Sequence, residues 1–254
     1  MHSLHIFRSI AFGLALTFST SAVAHPDQAA AADMANAANA FLATLKPEQK
    51  AKATFKFDDA NRTRWHFVPT EMHPRHGLSF REMTQAQQHM AYALLASVMS
   101  ARGVQKTAQI MSLEQVLHDA DPNGRFARDP KWYFVSIFGK PSVEGTWSWR
   151  FEGHHLSLSF TVVDGHVGGL TPAFFGTNPG TILDGPRKGL QVLAAEENTA
   201  RALHQQALVV EGGGGLTDFG RPLLNQRKKM SVKSSAPTTC ASSAKSSVNH
   251  KLYR

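Results

Sequence analysis

The sequence predicts an α+β domain: an antiparallel sheet of about 4–5 strands from the middle of the chain, packed with helices from before and after it. Three observations point there. Apolar residues recur at helical spacing up to about Leu117; from Lys131 they fall into short alternating runs broken by glycine-containing turns; and helical spacing returns after Gly189. With 254 residues, 42% of them hydrophobic, one core of ordinary size suffices.

The first 24 residues stand apart. His5 and Arg8 precede an apolar run, Ile10 to Phe18, that leads to the small residues Ala22, Val23 and Ala24. This is the pattern of a cleaved secretory signal, so the mature chain is expected to start at His25 and to be exported to the periplasm or beyond. The run is shorter than the roughly 20 residues a bilayer needs, and no other stretch is apolar enough to span one, so no transmembrane helix is expected after cleavage. Residues 25–210 then read as a single α+β domain, and 211–254 as a disordered basic tail rich in Ser and Lys.

Within the domain, Met34, Ala37, Ala38, Phe41, Leu42 and Leu45 lie on one face of a helix from Asp27 to Leu45. Pro47 opens a second short helix through about Lys52. Thr54 to Phe57 and Arg62 to Val68 read as strands joined by a turn at Asp58 to Asn61. Thr84 followed by Gln87 fits a capping box, and Met90, Ala91, Leu94, Leu95 and Val98 continue that helix until Gly103 ends it. A partner helix carries Ile110, Leu113, Val116 and Leu117 and stops at Asp121-Pro122-Asn123-Gly124.

The strands follow as Trp132 to Phe138, Thr146 to Glu152, His154 to Val163 and His166 to Leu170, with Asp164-Gly165 a strong hairpin signal. The strand near Trp65 is a candidate fifth member. Thr171 to Pro186 reads as a Pro- and Gly-rich loop, and Gly189 to about Leu208 as a docked helix.

Charge and cysteine narrow the functions. Six of the eight net positive charges fall from Glu211 onward, so the basic balance describes the tail and a nucleic-acid role for the domain is disfavoured. The lone Cys240 excludes an internal disulfide and a thiolate metal cluster, so any metal here would take histidine and carboxylate ligands.

The densest chemistry is Trp147 to Phe160, WSWRFEGHHLSLSF. As a continuous strand it would put Arg150, Glu152 and His154 on one face with Leu156, Leu158 and Phe160, and His155 on the other, unless a bulge at Gly153 shifts the register. Ionisable groups beside a core must be paired, protonated to suit or metal-bound. His154 and His155 are therefore candidate ligands for a divalent metal or proton carriers, Glu152 a candidate base, and Arg150 with Arg64 candidate anion binders. His66, Glu71, His73 and His76 could supply further ligands. The bland alternative is a mutually satisfied polar network. Likewise Arg62, Arg64 and Arg128 either orient an anionic ligand or pair with local acids, and Thr171 to Gly180 is either a lid over the histidines or a plug for the sheet end. Neither a GxxxxGK[ST] loop, a GxSxG elbow nor an HExxH helix occurs.

Residues 62 to about 205 also carry, in order, Arg64, Trp65 and Pro69, Gly77-Leu78, Gln87, Arg128 to Pro130 with Tyr133, Phe138 to Pro141, the WSWRFEGHHLSL run, TPAFFGTNP from Thr171 to Pro179, and Glu196, Glu197 and Arg201. This pattern resembles the bacterial family grouped as domain of unknown function 3500, and the resemblance implies no reaction. Relatives usually continue with more helical sequence, which the tail does not resemble. Three readings stay open: an exported metal-assisted hydrolase or oxidoreductase centred on His154 and His155; a non-catalytic envelope protein binding a small anionic ligand or a protein; and a truncated, inactive family member.

Overall fold

The computed structural model describes residues 26–212. The expected leader and residues 213–254 of the expected tail lie outside them. Helix α1 spans Pro26–Ala43 and buries Ala31, Met34, Ala35, Ala38, Phe41 and Leu42, the stripe its spacing predicts. Helix α2, Pro47–Ala53, has proline in its first turn and runs directly into strand β1, Thr54–Phe55. Strand β2 is Leu78–Ser79, and α3 is Gln85–Ala96. The capping box forms: Thr84 N donates to Gln87 Oε1 at 2.9 Å and Gln87 N to Thr84 Oγ1 at 3.3 Å. Gly103 does not end this helix. It sits in the first turn of α4, Ala101–Ala120, where its N–H donates to the Ser100 cap, and α3 has already stopped at Ala96.

Strands β3 (Phe134–Phe138), β4 (Trp147–Gly153), β5 (Leu156–Val163) and β6 (His166–Phe175) form the expected antiparallel meander. The β5–β6 turn is Asp164-Gly165, both residues with positive φ (49° and 76°), as that dipeptide predicts. At the far edge β3 pairs with β1 in parallel and with β2 antiparallel, so the sheet is mixed and six-stranded.

Two segments depart from the sequence reading. Residues 62–68 are not a strand, because their carbonyls are claimed by buried arginines instead of a ladder: Arg150 Nη1 donates to Asn61 O and Arg62 O, and Arg75 Nη2 to His66 O and Val68 O. Conversely, Thr171 to Phe175 belongs to β6; as the last strand it tolerates Pro172, whose missing N–H would interrupt an inner ladder. The last helix, α5 (Ala194–Gly212), starts later than Gly189.

Every residue of β4 is buried, so the centre of the sheet is covered on both faces, while the edge strand β6 is partly open. Trp147, Trp149 and Phe151 share one face with Val135, Ile137, Leu158 and Phe160, under α1 and α3. Trp149 stacks on Phe160 at 4.3 Å, and its indole N–H donates to Met34 Sδ at 3.3 Å. The other face presents Ser136, Ser148, Arg150, Glu152 and Ser157 to the segment 56–77. One cluster of buried apolar side chains runs from Ala31 to Val192.

Candidate functional site

The β4–β5 connection decides where the ionisable groups go. Gly153 pairs with Leu156, which makes His154 and His155 a two-residue hairpin turn, not strand residues. Paired residues share a face, so the turn reverses the expected parity. Arg150 and Glu152 lie opposite Ser159 and Ser157, and the apolar Leu156, Leu158 and Phe160 are on the other face. Gly153 is required because a Cβ there would lie 2.2 Å from the Tyr133 ring. His155 takes a left-handed φ of 59°. The turn is tied by main chain on both sides: His155 N donates to Phe67 O at 2.7 Å, and Gly176 N donates to His155 O at 2.8 Å. Tyr133 Oη also donates to His154 O, at 2.7 Å.

His154 points to α4. Its Nδ1 lies 2.5 Å from Glu114 Oε1 and 3.2 Å from Arg128 Nη1, while Arg128 Nη1 is 3.7 Å from Glu114 Oε2. One ring nitrogen cannot both donate and accept. With Nδ1–H donating to the Glu114 carboxylate, which also pairs by charge with Arg128, the lone pair is left on Nε2. Glu114 and His154 are 4% and 8% exposed, and both line a cleft whose enclosed volume is ≈ 10 Å³, with Pro69, Thr70, Arg128, Trp132 and Tyr133. That is room for about one water.

His155 is half-buried, with its ring 4.1 Å from that of His154. Burial first, then the charges of His154 and Arg128, push its pKa down to about 4, so it is neutral near pH 7. Gly176 passes so close that a Cβ would sit 2.9 Å from His155 Nδ1. The aromatic pair expected as lid or plug belongs to β6, and Phe174 stacks on Phe67 at 4.4 Å.

Arg150 and Glu152 form a separate, sealed pair, each side chain 1% exposed, with Nε 2.8 Å from Oε1. The contact is short but poorly directed, so charge and not a hydrogen bond holds it. Burial pushes the Glu152 carboxyl up, against Arg150 and Arg75, and pushes both guanidinium groups down. Arg75 fastens the covering segment to the strand end, donating to Val68 O at 2.5 Å and Gly153 O at 3.0 Å. Arg64 is exposed and makes no side-chain hydrogen bond or ion pair among the described residues.

Of the remaining candidate ligands, His76 is exposed and the others are engaged elsewhere. His66 Nδ1 accepts from Phe67 N and Val68 N, its ring lies 4.7 Å from that of His73, and Glu71 accepts from Ala127 N at 2.6 Å. Among the described residues no three His, Cys, Asp or Glu side chains are placed to hold a metal ion. Glu114 escaped the sequence reading, although one signal was present: it is an acid set between Ile110, Leu113 and Leu117 on the apolar stripe of α4. Arg75 had no comparable signal.

A family model described as "Protein of unknown function (DUF3500)" matches residues 27–209. No curated protein and no solved structure matches the chain.

Proposed function

The chain belongs to the DUF3500 family of proteins of unknown function, and for this member we propose an exported hydrolase whose reactive centre is His154, oriented by Glu114. The observation that carries this reading is the 2.5 Å contact of His154 Nδ1 with a nearly buried carboxylate at the wall of a cleft. Glu114 holds the imidazole in the tautomer with Nε2 unprotonated, and Nε2 takes a proton from water as it attacks a small substrate. Arg128, on the same wall, balances Glu114 and receives an anionic substrate group. Neutral His155 keeps a second positive charge away from the base.

Glu152 and Arg150 enter as positioning groups, since they are sealed beneath the turn. His154 and His155 as paired metal ligands remain a variant of this reading that needs donors from outside the pair. The guanidinium 3.2 Å from Nδ1 opposes a cation at that nitrogen.

The test is turnover of a panel of small carboxylate and phosphate esters by the chain and by His154→Gln. General-base catalysis is worth about 10²–10⁴-fold, so the variant should lose at least about 10²-fold while melting at the same temperature. Full turnover by a folded His154→Gln protein sinks the reading. A second reading, an exported protein that binds a small anion without reacting, is favoured by Arg128 at the cleft wall. Saturable binding of such an anion, lost in Arg128→Ala with no turnover, would establish it.

A further inference from the structure

Pro69 and Thr70, which wall one side of the His154 cleft, belong to a short turn, residues 69–74, that is held unlike the rest of the covering segment. None of these residues is buried, none joins the apolar cluster, and Met72 is 59% exposed. Within the turn, Met72 N and His73 N both donate to Pro69 O. We propose that this turn is a flap that opens and closes the cleft, clasped shut by the Glu71 carboxylate on the opposite wall. The proposal deepens the hydrolase reading and rests on it for its purpose, since the flap governs how a substrate reaches His154.

Three features converge on it. The first is that the feet of the turn are pinned. On one side Arg75 Nη2 donates to His66 O and Val68 O, and His155 N donates to Phe67 O. On the other, Ser136 Oγ donates to His76 O at 2.8 Å, and Gly77 packs so close that a Cβ would sit 2.4 Å from that hydroxyl. The second is that the tip is held at one point. Among the described residues, a single hydrogen bond joins 69–74 to anything outside the covering segment: Ala127 N donates to Glu71 Oε1 at 2.6 Å. Both partners are exposed, and Ala127 lies in the opposite wall beside Arg128. The clasp therefore spans the mouth of the cleft.

The third feature is size. The cleft has room for about one water beside His154, the attacker in the reading above, and none for a substrate. A wall must move, and the walls differ in what moving them costs. Tyr133 is fully buried and Glu114 is set in the packed face of α4, so neither shifts without disturbing the core. Lifting the flap breaks the Glu71 clasp and the 3.0 Å bond from Arg75 Nη1 to Thr70 Oγ1, but takes no buried side chain of its own out of the core. Such a segment sits at the low end of local stability. Closing it shuts out bulk water and strengthens the fields of Glu114 and Arg128 at His154.

The test measures access to His154 directly, by acylating the histidine rings of the full chain with diethyl pyrocarbonate and locating the product by fragment-ion mass spectrometry. His118, exposed on α4, is the internal reference. His154 should react at least about 10-fold more slowly than His118, and Glu71→Ala should raise its rate about 10-fold, the size expected for losing a hydrogen bond to a charged group. Glu71→Gln, which keeps the acceptor oxygen but not the charge, should fall between. Glu71 is exposed and outside the core, so both variants should melt as the parent does. Low urea should leave the parent's His154 rate nearly unchanged, since opening a flap exposes little surface. A parent His154 as reactive as His118, a rate untouched by Glu71→Ala, or a steep dependence on urea overturns the flap. Acylation needs no turnover, so a chain that shows this gating but cleaves no ester keeps the flap and loses the hydrolase.

Discussion

Glu152 and Arg150 show what happens when charge is buried as a pair. Removing one partner strands the other in a dry interior, so Glu152→Gln should destabilise the fold by about 3–5 kcal/mol, read from urea unfolding. The paired change Arg150→Met with Glu152→Leu should recover most of that loss, though Arg150 also satisfies two carbonyls of the covering segment. A double variant as unstable as Glu152→Gln would mean that those carbonyl bonds, not the charge, are what the pair contributes. His155 makes a separate prediction at the same scale. Its pKa is 6.5 when unconstrained and about 4 in the fold, so between those values the unfolded chain binds the extra proton. Stability is therefore full above pH 6.5 and falls as pH drops toward 4, by about 2 kcal/mol once the partly exposed ring is allowed for. His155→Asn, which tolerates a positive φ, should flatten the unfolding midpoint across that window. An unchanged acid slope would place the protonation elsewhere.

Among the elements, α5 is the outlier. From Ala195 to Ala207 it is exposed on every side, Leu203 by 67%. Its first turn is held by the ion pair of Lys106 with Glu196, and the preceding loop by Arg187 to Ser112 of α4. A helix without tertiary packing is marginal in water, so amides beyond Thr199 should exchange far faster than those of β4. Leu203→Glu should change stability by no more than about 0.5 kcal/mol. Slow exchange through α5, or a large loss from Leu203→Glu, would show that another surface covers it. Strand β4 is the opposite case, buried on both faces and hydrogen-bonded on both edges. Its central ring is close to irreplaceable: Trp149→Ala should cost about 3–5 kcal/mol by the same unfolding measurement.

Across the whole molecule, one apolar cluster and one polar face share a single sheet, and the hairpin at His154-His155 is where the two meet. The sequence alone determined the helices with strong periodicity, the capping box at Thr84, the meander and its Asp164-Gly165 turn, because each rests on local propensity or on neighbours a few residues apart. It also singled out His154, His155 and Arg128 by their chemistry. Only the tertiary structure decided that the two histidines form the turn itself, since one step in register moves every side chain of the hairpin to the opposite face and alternation cannot reveal which residues turn. The same holds for Glu114 and Arg75, separated from their partners at His154 and Gly153 by 40 and 78 residues. A buried acid in a helix and an arginine in a loop acquire meaning only when folding brings a distant partner within hydrogen-bond reach, because the desolvation that makes them matter does not exist in the extended chain.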